Sequence, residues 1–341
     1  MVHKKLIGKC FYTGLFILLA LLATKLYAED VYIQADKQTF DGKKAVFEGK
    51  VKVDYADIHV ESPKAFVRND ENGKPHSATF VDGAHAIRIK PNARSEVKAN
   101  IINLSLLKNR IHAEGDTETM LIEEKKPMVH IKAGSQSFDI KENVITATTD
   151  VNMVYDKIKT RSDKAKITIS KGGDLDKVEF FGKVNIVRDK TIINADKVTY
   201  NAKIDEMIAQ GSTNSETALD DGSNVAIWAN LQHYDNKSKT LITSGNVKIK
   251  YQDYVATGPK ASFIPDEGAE KPNNIYFVGR SKIQQCERFV EADRIHMTME
   301  PKNFKAEGNV LTKFTQVQGY NDPQKGKKET PQETVETEDA T

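Results

Sequence analysis

The chain has 341 residues, and its 50 basic and 48 acidic residues give a formal net charge of only +2 at pH 7. This balance excludes the strongly basic surface that binds nucleic acid or other polyanions. With 39% hydrophobic and 29% charged residues, and many Lys, Val, Ile and Thr, the composition is typical of a soluble β-rich protein.

The first 28 residues have the pattern of an export signal. Lys4, Lys5 and Lys9 precede an apolar run over residues 11–23, and small and polar residues follow up to Ala28. This order predicts a signal peptide that is cleaved after Ala28. The apolar run is short for a transmembrane helix, although an uncleaved signal would leave the chain anchored in the inner membrane. Cys286 is then the one cysteine of the mature chain, so we expect no internal disulfide.

Residues 29–315 contain a repeat of about 32 residues, which predicts one supersecondary unit stacked on itself. An alanine recurs nine times, and a glycine follows it after 14 to 18 residues in eight copies. In the fourth copy Thr149 stands where the glycine is expected. The alanines are Ala35, Ala65, Ala99, Ala133, Ala165, Ala195, Ala229, Ala261 and Ala292, and the glycines are Gly49, Gly83, Gly115, Gly182, Gly211, Gly245, Gly279 and Gly308.

Apolar and polar residues alternate around each glycine, which predicts β-strands with one buried face. A glycine inside such a strand indicates a bend or bulge, and turn sequences such as Asp41-Gly42 separate the strands. Each unit is therefore predicted to be two long bent strands joined by a short turn. Eighteen such strands, paired antiparallel, form two facing half-sheets in an open jelly-roll trough about 85 Å long.

A longer period is also present. The segments that begin at Ser62, Ser162 and Gly258 resemble one another and recur every 96 to 100 residues. Three units therefore form a super-repeat.

The inward-facing positions line the predicted interior and are the candidate ligand-binding residues. Small or polar residues on the same face, namely Thr117, Thr119, Thr213 and Ser281, are compatible with an interior that side chains do not fill. The alternative is that all these positions form an ordinary packed core. The candidates are Phe47, Val51, Val53, Phe180, Val184, Ile186, Val247, Ile249, Phe277, Ile283, Phe304 and Val310.

The repeat resembles the OstA-type repeat of the LptA/OstA family of periplasmic lipopolysaccharide-transport proteins. The resemblance rests on segments such as Ala195-Asp196-Lys197-Val198-Thr199-Tyr200 and Gly245-Asn246-Val247-Lys248-Ile249, and it covers roughly residues 30–314. It implies a twisted β-jelly-roll in the periplasm, with an apolar groove for the acyl chains of lipopolysaccharide or a related glycolipid. It also implies end-to-end association with other jelly-roll transport components or with a second copy.

The sequence therefore favours a non-enzymatic lipid carrier or bridge. The alternatives are a structural or adhesive surface repeat protein without lipid cargo, and a membrane-anchored relative of the transport machinery. No recurring serine, histidine and acid grouping and no metal-ligand pair is recognisable in the sequence, so we expect no catalytic residues, no metal and no cofactor. Residues 316–341 are polar, and we expect them to form a disordered tail.

Overall fold

The computed structural model describes residues 32–314, with gaps at 56–57, 74, 91–92, 106–107, 109, 124–127, 140, 156, 170–174, 220–221, 270, 300 and 302. The predicted signal peptide and the predicted disordered tail lie outside the described residues. Within the described part of the chain, no helix has the length and apolar character needed to cross a membrane.

The described residues form 22 strands of one antiparallel sheet, as the alternating sequence predicts. The strands are β1 (Tyr32–Gln34), β2 (Lys37–Phe40), β3 (Lys44–Tyr55), β4 (Ile58–Asn69), β5 (Pro75–Val81), β6 (Ala84–Lys90), β7 (Ala93–Ala99), β8 (Ile101–Ser105), β9 (Arg110–Glu123), β10 (Val129–Asp139), β11 (Val144–Tyr155), β12 (Ile158–Ile169), β13 (Leu175–Arg188), β14 (Thr191–Asn201), β15 (Glu206–Ala218), β16 (Asn224–Asp235), β17 (Thr240–Tyr251), β18 (Tyr254–Pro265), β19 (Pro272–Gln285), β20 (Arg288–Thr298), β21 (Asn303–Glu307) and β22 (Leu311–Lys313).

Four pairs of short strands are the two halves of a single bent strand. β1 and β2 both pair with β3, β5 and β6 with β4, β7 and β8 with β9, and β21 and β22 with β20. The described sheet therefore consists of 18 bent strands in chain order, each antiparallel to the next. This confirms nine units of two bent strands and an elongated all-β fold.

Each bend is built on an extra residue at the repeated glycine. The register between β3 and β4 shifts between Glu48 and Val51, and the residues in between, Gly49 and Lys50, have φ angles of 76° and 47°. This left-handed conformation favours glycine, and the extra residue bends the strand. The same pair of positive φ angles recurs at Gly115–Asp116, Gly182–Lys183, Gly211–Ser212, Gly245–Asn246 and Gly308–Asn309.

The residue after the repeated alanine explains why the bend requires glycine. The backbone N–H of Asp36 donates to the Gly49 carbonyl oxygen at 2.9 Å, and the same bond joins Asp293 to Gly308. A Cβ atom on Gly49 would lie 2.8 Å from the Asp36 Cβ atom, which is closer than two carbon atoms approach without displacement. The alanine-aspartate and glycine signatures are thus two sides of one contact between neighbouring strands.

The fourth copy keeps the bend, but the glycine and the larger residue that faces it have exchanged strands. Thr149 and Asp150 have φ angles of 69° and 51°, so the chain adopts the left-handed bend without glycine. The position after Ala133, where five other copies carry Asp or Asn, is Gly134 instead. A Cβ on Gly134 would lie 2.9 Å from the Thr149 Cβ atom. The larger residue has therefore moved from one strand to its neighbour, and the close approach is preserved.

Candidate functional site: the apolar trough

The interior is closed along the line of bends. The inward residue that follows each bend is almost completely buried, with exposed fractions of 1% for Val51, 1% for Val184 and 2% for Val247. Thr117, Val151, Thr213 and Ser281 occupy the equivalent position and are 1% exposed. We call this row, which lies two residues after the bend, the floor of the trough.

Exposure increases from the floor towards the strand ends. In β13 the inward residues are Val184, Ile186 at 9% exposed, and the exposed Arg188. In β3 the half-buried Val53 follows the buried Val51 in the same way. The two half-sheets therefore enclose an interior that is tightly packed at the bends and opens at the strand ends, which we call the rim.

The twelve predicted residues fall into three groups. Nine are buried in the core: Phe47, Val51, Phe180, Val184, Ile186, Val247, Ile249, Phe277 and Ile283. Val53 is half-buried and packs against the core from the rim. Phe304 and Val310 are 43% and 51% exposed, because they belong to the terminal bent strand or its bend, which has a neighbour on one side within the described sheet.

The apolar rim itself was missed by sequence reasoning, apart from Val53. Met153 is two residues beyond Val151 on the inward face, and Met207 is two residues before Ala209. Both are half-buried and pack against the core. The signal that identifies these residues is their parity with the floor position together with a greater separation from the bend. Ile111, Val129, Ile193, Leu241, Ile275 and Met297 share this half-buried state.

The buried residues form three successive clusters along the trough, over residues 47–113, 131–209 and 227–295. We call them the N-terminal, middle and C-terminal compartments. Ile111 packs against both of the first two clusters, so these compartments are continuous there. Each compartment corresponds to one super-repeat of three units.

Buried polar side chains lie between the compartments. Between the first two, Thr119 donates to Gln136 Oε1 at 3.0 Å, and Gln136 Nε2 donates to Thr117 Oγ1 at 3.0 Å. Thr213, Ser215 and Gln232 lie at the next boundary, 96 residues further along the chain in each case. We call these two sets the polar belts.

Thr117, Thr213 and Ser281, which the sequence left compatible with an unfilled interior, are hydrogen-bonded to the backbone at floor positions. Thr117 donates its hydroxyl to the Ala133 carbonyl oxygen and Thr213 to that of Ala229, both at 2.8 Å. Ser281 donates to the Gly279 carbonyl oxygen at 2.7 Å. Because buried carbonyl groups need donors, these hydroxyls belong to the packed structure of the bends.

Charged groups reach the rim of the middle compartment. Tyr234 lies on the inward face of β16, and burial raises the pKa of its phenol. The Arg188 guanidinium partly offsets that rise in pKa, whereas the Asp205 and Asp235 carboxylates add to it. The Tyr200 hydroxyl donates to Asp205 at 2.9 Å. The rim therefore carries charged groups of both signs, whereas the floor residues named above are apolar or carry hydroxyls.

The outer wall is covered by ion pairs between neighbouring strands. Lys132 and His130 both bond to Glu118 and lower the pKa of its carboxyl group. Phe181 lies between Lys164 and Lys197, whose ammonium nitrogens are 5.9 Å and 5.1 Å from the ring centre. Such pairs keep the outer face polar and leave the apolar surface inside.

Comparison with known proteins found a family match and a similar solved structure. Residues 173–268 match the family model described as "LptA/(LptD N-terminal domain) LPS transport protein". A solved structure of LptH from Pseudomonas aeruginosa, titled as the LptA homologous periplasmic component of the lipopolysaccharide transport device, is similar at 17% identity and a TM-score of 0.32. The similarity covers 38% of this chain and 96% of that one. No curated protein matches the chain. The family model thus supports the resemblance seen in the repeats over residues 173–268, where the chain is similar to the LptA/OstA-type lipopolysaccharide-transport proteins.

Proposed function

We propose that the protein is a non-enzymatic periplasmic carrier or bridge that holds the acyl chains of lipopolysaccharide, or of a related glycolipid, between the rims of the trough. The observation that carries this proposal is the apolar interior, which each of the three compartments contains and which opens along the strand ends. The match of the middle of the chain to a transport family supports it.

The distribution of exposure indicates where the lipid chains would lie. The floor residues are 1–2% exposed and leave no room for a ligand, whereas the rim residues such as Met153, Met207 and Leu241 are half-buried. Each methylene group that leaves water for this rim contributes about 0.8 kcal/mol. Methionine adapts its shape readily, which suits a surface that must admit flexible chains. The predicted floor residues then support the site from beneath.

The ends of the stack support assembly into a longer conduit. Within the described sheet β1 and β2 pair only with β3, and β21 and β22 only with β20. Apolar residues are exposed at both ends, with Ile33 and Phe40 at 39% and 58%, and Leu311 and Phe314 at 52% and 80%. Such edges can add a strand of another chain. The partner is a second copy or another jelly-roll transport component.

Photo-crosslinking in cells that make lipopolysaccharide tests the cargo. A photoreactive amino acid at Met207, on the inward rim, should crosslink to lipopolysaccharide. The same amino acid at Gln210, which faces outward in the same strand, is the matched control and should not. Equal labelling at both positions, or none at Met207, would contradict the carrier and favour a structural repeat protein without cargo.

Sedimentation velocity tests the assembly. The full chain should form rods whose length increases with concentration, because head-to-tail contacts repeat without closing. Ile33→Pro removes a backbone donor at the N-terminal edge and should shorten the rods. A monomer at every concentration, with no binding to a jelly-roll partner, would rule out end-to-end pairing.

A further inference from the structure

A buried arginine lies inside the N-terminal compartment. Ala84, Ala86 and Arg88 alternate along the inward face of β6, and Arg88 is only 7% exposed. Its neighbours across the sheet are Ile58 on β4 and Ser95 on β7. An arginine at this depth in an apolar groove is costly unless its charge meets hydrogen-bond acceptors.

Among the described residues two buried side-chain atoms lack a hydrogen-bond partner, and one of them belongs to Ser95, which faces Arg88 across the sheet. Ser95 is 0% exposed, and its Oγ atom makes no hydrogen bond. The other such atom among the described residues is Nδ1 of His76. His76 lies on the inward face of β5, and β5 and β6 are the halves of one bent strand. Because a buried unsatisfied polar atom costs about 1–3 kcal/mol, the Ser95 hydroxyl beside Arg88 indicates a place for a ligand group.

We propose that Arg88 and Ser95 form a subsite for a phosphoryl group of an amphiphile whose chains occupy the trough. This inference rests on the proposed lipid-binding function. The guanidinium offers five donors in a planar fork that matches phosphate oxygens. Arg88 also has an interaction within the protein, and a guanidinium with five donors can serve more than one partner at once. The Ser95 hydroxyl then donates to the same group.

The super-repeat places an arginine and a hydroxyl at the equivalent positions of the middle compartment, where Arg188 is exposed and the Thr191 hydroxyl lies 3.2 Å from that of Thr217. Arg188 lies 100 residues after Arg88 on the inward face of β13. It pairs with Ile158 on one side and with Thr191 on the other, as Arg88 pairs with Ile58 and Ser95. Six strands separate the two arginines, which corresponds to about 29 Å along the trough. A phosphorylated amphiphile that moves along the trough would therefore meet a second arginine and hydroxyl in the next compartment.

Calorimetry with two amphiphiles of equal chain length separates the phosphoryl group from the chain. The probes are dodecyl phosphate, dodecyl maltoside and inorganic phosphate, each titrated into the full chain. Arg88→Gln should weaken dodecyl phosphate binding about tenfold and Ser95→Ala about threefold. Neither variant should change the affinity for dodecyl maltoside by more than about twofold. Arg94→Gln is the matched control, because Arg94 faces outward and pairs with Glu96, and it should change neither affinity.

Each other outcome has a distinct meaning. If Arg88→Gln weakens both amphiphiles equally, the arginine only supports the fold, and the subsite is wrong while the trough still binds lipid. If inorganic phosphate alone binds and Arg88→Gln weakens it equally, the site binds a free anion. The proposal that it binds an amphiphile is then wrong. If the wild-type chain binds neither amphiphile, the proposed carrier function fails as well. Should Arg88→Gln not fold, an unchanged preference of Ser95→Ala for phosphate over maltoside contradicts the proposal.

Discussion

The floor and the rim of the trough consist of residues with the same parity in the same strands, yet they differ in packing. Val184 on the floor is 1% exposed, whereas Met207 on the rim is half-buried. The floor is also where the bends bring neighbouring backbones together, as at Gly49 and Asp36. This difference indicates that one continuous apolar face serves two purposes. The floor stabilises the fold, and the rim is the surface that remains available for a ligand.

The largest expected effect is a charge on the floor. Val184→Arg should lower the free energy of unfolding by about 3–5 kcal/mol, because an unpaired charge would be buried among close-packed side chains. Chemical denaturation of the purified chain measures it. Val187→Arg, which faces outward in the same strand, is the control and should stay within about 0.5 kcal/mol of wild type. Equal stability of the two variants would show that the floor is not packed.

A charge on the rim should affect binding more than stability. Met207→Asp is expected to lower the free energy of unfolding by about 1 kcal/mol, since the side chain is only half-buried. Binding of a dodecyl-chain amphiphile should weaken at least about tenfold because the aspartate must be desolvated by the chain. Ile208→Asp, one residue away on the outer face, is the control for charge. If both variants bind alike, the rim does not contact the lipid.

The architecture could be predicted from the sequence because the bends favour particular residue types at regularly spaced positions. The alanine recurs in all nine copies and the glycine in eight, and in five of them the glycine faces the Asp or Asn that follows the alanine, so the repeat identified 18 bent strands. The separation of floor from rim could not be read in the same way. Parity shows which face is inward, but it does not show how far apart the two half-sheets are at a given distance from the bend.

Particular residues show the remaining limits. Thr117 and Thr213 look like signs of an open interior, although they donate to carbonyl groups at the bends. Thr149 looks like a lost bend, although Gly134 on the neighbouring strand compensates for it. Arg88 was missed because a charge at one inward position is conspicuous only when the burial around it is known. In each case the deciding contact lies on a different strand.

The bend at Thr149 and Gly134 allows a smaller, local test of how closely neighbouring strands pack at the floor. Thr149→Gly should raise the free energy of unfolding by about 1 kcal/mol, because a β-branched residue is strained at a positive φ. Gly134→Ala should lower it, since the new Cβ would lie 2.9 Å from the Thr149 Cβ atom. The double variant should be more stable than the sum of the single changes predicts. Simple additivity would mean that the two positions are not in contact.

The smallest effect is expected on the outer wall. Lys132 and His130 lower the pKa of Glu118. The ionised carboxylate therefore stabilises the folded chain at pH values above its ordinary pKa of 4.5. This contribution is lost as the pH falls below that value. Glu118→Gln should cost well under about 1 kcal/mol at pH 7, because the pair is partly exposed. Denaturation of both proteins at pH 7 and at acid pH measures this. The two should converge in acid; a constant difference would exclude the ion pair as its cause.

The polar belts have a consequence for the length of such a chain. They separate the apolar clusters every 96 residues, and the inward arginines recur every 100. Insertion or deletion of a single unit would change the spacing between a polar belt and the apolar cluster next to it. It would also displace the inward arginines relative to the clusters. Growth by three units would keep every element in phase. The length of the chain is therefore set in super-repeats of three units. A viable relative of different length should differ from it by whole super-repeats.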